Sequence, residues 1–492
     1  MTSHPGKKLL IAMLLAIAAN AAEVIRIHPE NPRYFEWRGQ PMVLVAAGEH
    51  YGAVINPDFD YHRYLRTIAA DGLNHTRVFL GSYVEWPQAF GITDNPLAPA
   101  TGCFLAPWAR SAIPGYSLGG NKFDLDHWDE AYFARLHAYL DEADRLGIVV
   151  EAVLFFVGPG WEHLPMNPRN NVNATDDVGA MRYLTLDNGN LLARQETYAR
   201  KLVHELNRHG NVLINLCNEP WFYNQDRPGF AAQPPAGTKA WIQRIAQWVR
   251  DEESRLPNRH VLCVDISNQG TVITPDDLTR FFPQVDGFNV HYDANADSLT
   301  LNPSLPRYLA FNETGFNGMS DEAYRVQGWR YLLAGGAVYS HLDFSFTAGY
   351  EDGTATPVFT GTYNAGGSPA LRRQLKVLLD FMRSIPFVQM RRDDSVVVGG
   401  ADSWIALAQP GVAWAFWFPG EGPITPGLAL PPGWYRAEWV DILTGGVTTL
   451  HYEAREWLAT LPGVRHGGGV ALRVFAEDAE PVPAPTRSPR QP

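Results

Sequence analysis

The chain has 492 residues, 46% of them hydrophobic, and a formal net charge of −12. That length can bury one large domain and a smaller one, and the acidic balance sets aside nucleic acid and anionic membranes as partners. Aromatic residues make up 12%, with 15 Trp; much of this must be core, although sugar-binding clefts also use aromatic faces.

Met1 to Ala21 reads as a secretory leader. Lys7-Lys8 form a basic start, Leu9 to Ala19 an apolar run, and Ala19-Asn20-Ala21 a small-x-small cleavage site. The run falls short of the ~20 residues needed to span a bilayer, and no Cys follows it to carry a lipid. The expectation is a secreted or periplasmic soluble protein with a mature charge of −14 (52 acidic minus 38 basic). Of the three Cys, Cys217 and Cys263 fall in neighbouring expected strands and read as small buried hydrophobes.

After the leader, a hairpin through Tyr34 to Trp37, turning at Arg38-Gly39-Gln40, precedes a first strand over Pro41–Ala47. That strand runs into Gly48-Glu49-His50-Tyr51, where the polar Glu49, His50 and Tyr51 either contact a ligand or satisfy loop backbone groups. Asp60–Ala70 has helical spacing and ends at Gly72. Asn74–Leu80 is the second strand. The long excursion from Gly81 to His127, rich in Gly, Pro and aromatics, reads as functional loop. A helix over Asp129–Leu146, a third strand over Ile148–Phe156 and a helix over Leu191–His209 follow.

The stretch from Asn211 to Trp221, NVLINLCNEPW, is a near-continuous apolar run that stops at Asn218-Glu219-Pro220. Such a run reads as a strand buried on both faces, as in a parallel sheet under helices; Pro220 ends it. Ala240–Arg255 is helical; His260–Ile266 and Gly287–His291 are the fifth and sixth strands. A seventh, from Tyr308, ends at Asn312-Glu313-Thr314-Gly315. The 94 residues between Glu219 and Glu313 hold about three strand–helix units of roughly 30 residues each. Two carboxylates at the mouths of the fourth and seventh strands suggest a general acid and a nucleophile. A helix over Asp321–Leu333, an eighth strand over Gly336–Phe346 and a closing helix over Ser368–Ile385 complete a TIM (β/α)8 barrel, α/β in class, spanning residues 22–390.

Beyond residue 390 the period becomes two. SWIALA (403–408), VAWAFWF (412–418), WYRAEWV (434–440) and VALRVF (470–475), separated by Gly/Pro turns, predict a small all-β sandwich over 391–478. It reads as a brace for the barrel rather than a polysaccharide binder. The Pro-rich 479–492 segment reads as disordered.

Asn218-Glu219-Pro220, the upstream Gly72-Leu73-Asn74-x-x-Arg77 and the Asn312-Glu313-Thr314-Gly315 strand end resemble the cellulase-like clan of retaining glycoside hydrolases. These have a (β/α)8 barrel with catalytic Glu on strands four and seven. The resemblance implies Glu219 as acid/base, Glu313 as nucleophile, Arg77 steadying the nucleophile, and Asn218 on the sugar 2-hydroxyl. It implies His291 and Tyr292 as substrate- and nucleophile-holding groups. Those two are adjacent, so strand alternation points them to opposite faces unless a bulge re-aims Tyr292. The clan's eighth-strand Trp is replaced here by His341, Asp343, Phe344 and Phe346, which leaves Asp343 as a candidate contact and Trp221 as the candidate stacking face.

The expected function is hydrolysis of O-glycosidic bonds, β-linked, in poly- or oligosaccharides, with carbohydrate as the partner and no cofactor or metal. Two rivals stand beside it: a non-catalytic carbohydrate-binding barrel, and a metal-dependent hydrolase using His50, His291 and His341.

Overall fold

The computed structural model describes residues 23–222, 233–361 and 363–477. The expected leader (1–21) and the C-terminal tail (479–492) lie outside them. Among the described residues no helix is long and apolar enough to cross a membrane.

Eight parallel strands form the centre: β1 (Leu44–Gly48), β2 (His75–Phe79), β3 (Val149–Phe155), β4 (Val212–Cys217), β5 (Val261–Asn268), β6 (Gly287–His291), β7 (Tyr308–Thr314) and β8 (Val338–Leu342). Their order is β1-β8-β7-β6-β5-β4-β3-β2. The ring closes between β1 and β2 through a side chain: Asn74 accepts from Val45 N (2.9 Å) and donates to Val43 O (2.9 Å). β4 is buried along its whole length, as its apolar run demands.

The helices follow their stripes. α1 (Tyr61–Ala70) is capped by Asp60, which accepts from the amides of His62 and Arg63, and buries Tyr61, Tyr64, Leu65 and Ile68. α2 (Glu130–Arg145) is capped by Asp129 in the same way. α3 (Leu191–Leu206) and α4 (Ala236–Glu253) flank β4. The crossover after β5 holds only a helical turn, Asp277–Phe281, and the one after β6 only α5 (Asp297–Leu301). Both are short and interrupted by prolines at 275, 283, 303 and 306, so neither has room for a full helix. α6 (Asp321–Leu333) and α7 (Pro369–Arg383, capped by Ser368) close the barrel.

Three expected boundaries move. The first strand is shorter than Pro41–Ala47, because Gln40–Met42 pairs backwards with Phe35–Trp37 in a floor hairpin. Phe35 packs edge-on against Tyr308 at the foot of β7 (4.7 Å). The eighth strand stops at Leu342 instead of Phe346: Asp343 Oδ1 accepts from Ser345 N (3.0 Å), turning the chain out of the sheet. The 81–127 excursion contains a long antiparallel hairpin, Trp108–Pro114 with Asn121–Trp128.

The C-terminal region is antiparallel. β9 (Arg391–Arg392), β10 (Ile405–Gln409), β11 (Ala413–Phe418), β12 (Gly433–Asp441), β13 (Val447–Ala454) and β14 (Val470–Ala476) make one sheet ordered β9-β10-β11-β14-β12-β13, beside a three-stranded and a two-stranded sheet. Alternation divides its side chains. Leu407, Ala415, Trp417 and Ala471 join the barrel's hydrophobic core, while Ala406, Trp414, Phe416 and Leu472 form a separate one.

Candidate active site

Six barrel strands each send a polar side chain into the interior, and Arg77 of β2 is the hub. Its guanidinium is 2% exposed overall. Nε donates to Glu151 Oε1 (3.0 Å), Nη1 to Glu313 Oε2 (3.0 Å) and to Tyr51 Oη (3.0 Å), and Nη2 to Asn218 Oδ1 (2.6 Å) and Asp265 Oδ2 (3.1 Å). Beneath it, the amides of Asn215, Asn289 and Asn312 each donate to both Glu151 Oε1 and Asp265 Oδ1, at 2.7–3.3 Å. A buried cation needs such a fully bonded cage to be retained.

Glu313 ends β7 with both oxygens held. Oε2 accepts from Tyr51 Oη (2.9 Å) and Arg77; Oε1 accepts from Tyr292 Oη (2.9 Å) and lies 3.3 Å from His291 Nδ1. Burial alone would raise its pKa, but His291, Arg77 and the Tyr51 hydroxyl outweigh it and hold the carboxyl below its ordinary range. Glu219 is pushed the other way. Burial raises it, His291 opposes, and the charges of Glu313 and Asp265 raise it further. His291 Nδ1 lies 3.0 Å from Glu219 Oε1, and Nε2 forms an ion pair with Asp265 Oδ2 at 2.9 Å. Burial would neutralise this imidazole, yet Glu313 and Asp265 keep it charged. One oxygen of Glu219, one of Glu313 and one nitrogen of His291 all lie within 4.8 Å of one another. Such a trio can grip one small group between two carboxyls whose pKa values are pushed apart.

Local backbone puts these groups there. Tyr51, Glu219 and Tyr292 all have left-handed backbone, with φ of 59°, 39° and 52°, unusual for side chains of this size and a mark of functional sites. The β6–β7 ladder shifts register between Val290 and His291. With that irregularity and the left-handed turn at Tyr292, His291 and Tyr292 both reach Glu313 despite being adjacent.

Other candidates sit elsewhere. Glu49 is turned onto its own loop: Oε2 and Oε1 accept from the amides of Gly52 (2.8 Å) and Ala53 (3.0 Å), and burial pushes its pKa up to about 8. Asp343 is likewise internal, bound to Arg372 Nη1 at 2.7 Å and to the Ser345 amide. Trp221 is 3% exposed and stands edge-on to His291 (5.4 Å), so it buttresses that ring and offers no open stacking face. His50 lies between Tyr51 and Phe344, each 5.5 Å away, with Nε2 3.6 Å from Glu85 Oε1. Asn218 lends Oδ1 to Arg77, which leaves its amide to donate. His50, His291 and His341 do not converge: among the described residues the one metal-capable trio is Glu219, His291 and Glu313, and His341 packs on Tyr324 at 4.0 Å. Cys217 and Cys263 are buried and unpaired with each other.

Glu151, Asp265 and the three buried Asn were missed as site residues. Their only sequence signal was a single acid or amide inside an otherwise apolar strand, as in the Glu151 of VVEAVLF.

No family model matches the chain, and no curated protein matches it. Solved structures do. One described as a glycoside hydrolase superposes with a TM-score of 0.61 at 13% identity, covering 94% of this chain and 98% of that one. A glycoside hydrolase family 5 structure from Bacteroides vulgatus ATCC 8482 gives 0.62 at 12% identity, covering 93% and 94%. At such identity the likeness carries the fold: a (β/α)8 barrel followed by a β-rich region, which matches the topology described above.

Proposed function

We propose that the protein is a retaining glycoside hydrolase that cleaves β-linked O-glycosidic bonds in poly- or oligosaccharides by double displacement. The observation that carries the reading is the opposed pair: two carboxyls within one group's reach of each other, Glu313 pulled below the ordinary carboxylate range by His291, Arg77 and Tyr51, and Glu219 pushed above it by burial and the neighbouring charges. Retaining enzymes keep their carboxyls about 5–5.5 Å apart, too close for a water to stand between carboxyl and sugar. The fold shared with structures described as glycoside hydrolases supports the same reading.

In the first step a Glu313 oxygen attacks the anomeric carbon. The bond to the leaving oxygen breaks as that oxygen takes the Glu219 proton. Esterification removes the Glu313 charge, one of the influences that raise Glu219. Glu219, now a carboxylate of lower pKa, takes a proton from water, whose oxygen attacks the anomeric carbon and frees Glu313. Asn218 Nδ2 donates to the 2-hydroxyl beside the reacting carbon. Export is part of the proposal on the strength of the 1–21 leader alone; N-terminal sequencing of the exported form tests it.

The test is a panel of p-nitrophenyl β-glycosides. Wild type turns over at least one, Glu313→Gln loses at least 10³-fold of kcat, on the scale of about 4 kcal/mol, and azide restores Glu313→Gly with a product of inverted configuration. Full activity in both Glu313→Gln and Glu219→Gln would reject the assignment; sugar binding without turnover would favour a carbohydrate-binding barrel.

A further inference from the structure

The loops that follow β2 and β8 are stitched together. Ile92 and Phe359 form an antiparallel bridge; Thr360 N donates to Gly91 O (2.7 Å) and Thr93 N to Val358 O (3.2 Å). The tie is built for close backbone approach. Gly91 has φ +73°, and a Cβ there would meet Thr360 O at 1.9 Å, so only glycine allows it. Aromatic rings brace it from the β7–β8 side: Phe359 against Phe344 (5.1 Å) and Phe316 (6.3 Å), and Phe316 against Tyr363 (5.3 Å).

Its place in the ring decides what it does. β8, β1 and β2 are neighbours, so a tie from the β8 loop to the β2 loop crosses over the end of β1, where Tyr51 bonds Glu313 and His50 packs against Phe344 under the tie. The leaving oxygen faces Glu219 at the end of β4. β8 is four strands from β4 in the eight-strand order, on the opposite side of the mouth. The sugar attacked by Glu313 therefore extends away from β4, toward the tie.

Resting on the hydrolase reading, we propose that the site is a pocket closed on its glycone side by the 91–93/358–360 tie, so that the enzyme removes units from the non-reducing end and does not cut within a chain. A polysaccharide cannot continue past the reacting sugar without threading beneath a backbone-bonded bridge. His50 supplies the polar contact at the closed end. Its ring stands 5.5 Å from Phe344, which packs on Phe359 of the tie, and its Nδ1 has no hydrogen-bond partner within the protein.

The p-nitrophenyl panel first identifies the accepted sugar; no turnover at all would reject the hydrolase reading rather than the closed pocket. The matching soluble polysaccharide, from β-glucan, glucomannan, galactan or xylan, is then digested with viscosity and reducing ends followed together. The closed pocket predicts reducing ends with little viscosity loss and a single small product from the start. A ladder of intermediate oligosaccharides overturns it, as does cleavage of an aryl oligosaccharide whose terminal sugar is blocked by a 4,6-O-benzylidene group. Gly91→Val parts the tie and raises the ratio of viscosity loss to reducing ends at least tenfold; a folded variant with an unchanged ratio removes the tie as the cause. If Gly91→Val fails to fold, the blocked substrate on wild type decides. His50→Phe raises KM for the aryl glycoside about tenfold with kcat within twofold, and an unchanged KM takes His50 out of the pocket.

Discussion

Tyr51 shows how one hydroxyl tunes the site. It bonds Glu313 Oε2 and accepts from Arg77, whose guanidinium carbon also lies 4.7 Å over its ring. A hydrogen bond to a charged partner contributes about 1.5–3 kcal/mol. Tyr51→Phe should therefore lower kcat/KM about 10- to 100-fold, measured on the best aryl glycoside. The sign of the pH effect follows from the same bond. The Tyr51 hydroxyl lowers the Glu313 pKa, so its loss raises that pKa and moves the acidic limb of kcat/KM to higher pH. The basic limb, set by Glu219 acting within the coupled pair, should lie above the ordinary carboxylate range in wild type, because burial and the Glu313 charge raise it. An acidic limb that stayed in place in Tyr51→Phe would separate Tyr51 from the ionisation of Glu313.

At the scale of elements, the barrel depends on how β1 and β2 meet. Every other neighbouring pair in the ring shares a parallel ladder, whereas this seam is bridged by the Asn74 side chain to Val43 and Val45. Asn74→Ala removes two bonds and leaves two buried backbone groups unpaired, a loss of about 2–4 kcal/mol. Urea unfolding should show the midpoint fall with an unchanged slope; a loss under about 0.5 kcal/mol would mean the seam is held elsewhere. Because Tyr51 follows β1 and Arg77 lies in β2, the seam also sets the spacing of two groups on Glu313.

At the scale of the whole molecule, the barrel and the β-rich region share one hydrophobic core. α6 lacks a single apolar stripe: Tyr324, Arg325, Gln327, Gly328, Trp329 and Tyr331 are all buried, because the barrel covers one side and the β-rich region the other. Trp417 of β11 is 1% exposed within the shared core, with the Arg330 guanidinium 5.8 Å over its ring. Trp417→Ala should cost about 3–5 kcal/mol and lower the temperature at which aryl-glycosidase activity is lost. Calorimetry of wild type should show one transition for both parts. Two separate transitions, with activity unaffected by the substitution, would make the β-rich region an independent passenger.

Strand count, parallel order and the two carboxyl-bearing strand ends were legible in the sequence. They depend on local pattern: apolar runs of strand length, helical stripes between them, and polar residues where a buried strand must stop. Glu219 and Glu313 could be named because each stands where such a run stops, and Arg77 because Gly72-Leu73-Asn74-x-x-Arg77 resembles the clan's second-strand motif. The roles of Glu49, Asp343 and Trp221 could not be read the same way, since a polar or aromatic residue at a strand end has the same sequence whether it faces a cleft, a loop amide or another ring. Tyr51 and Tyr292 reach Glu313 only through left-handed backbone and a register shift, and the 91–93/358–360 tie joins segments more than 260 residues apart. Those contacts depend on long-range packing that periodicity does not encode, so only the tertiary structure could decide them.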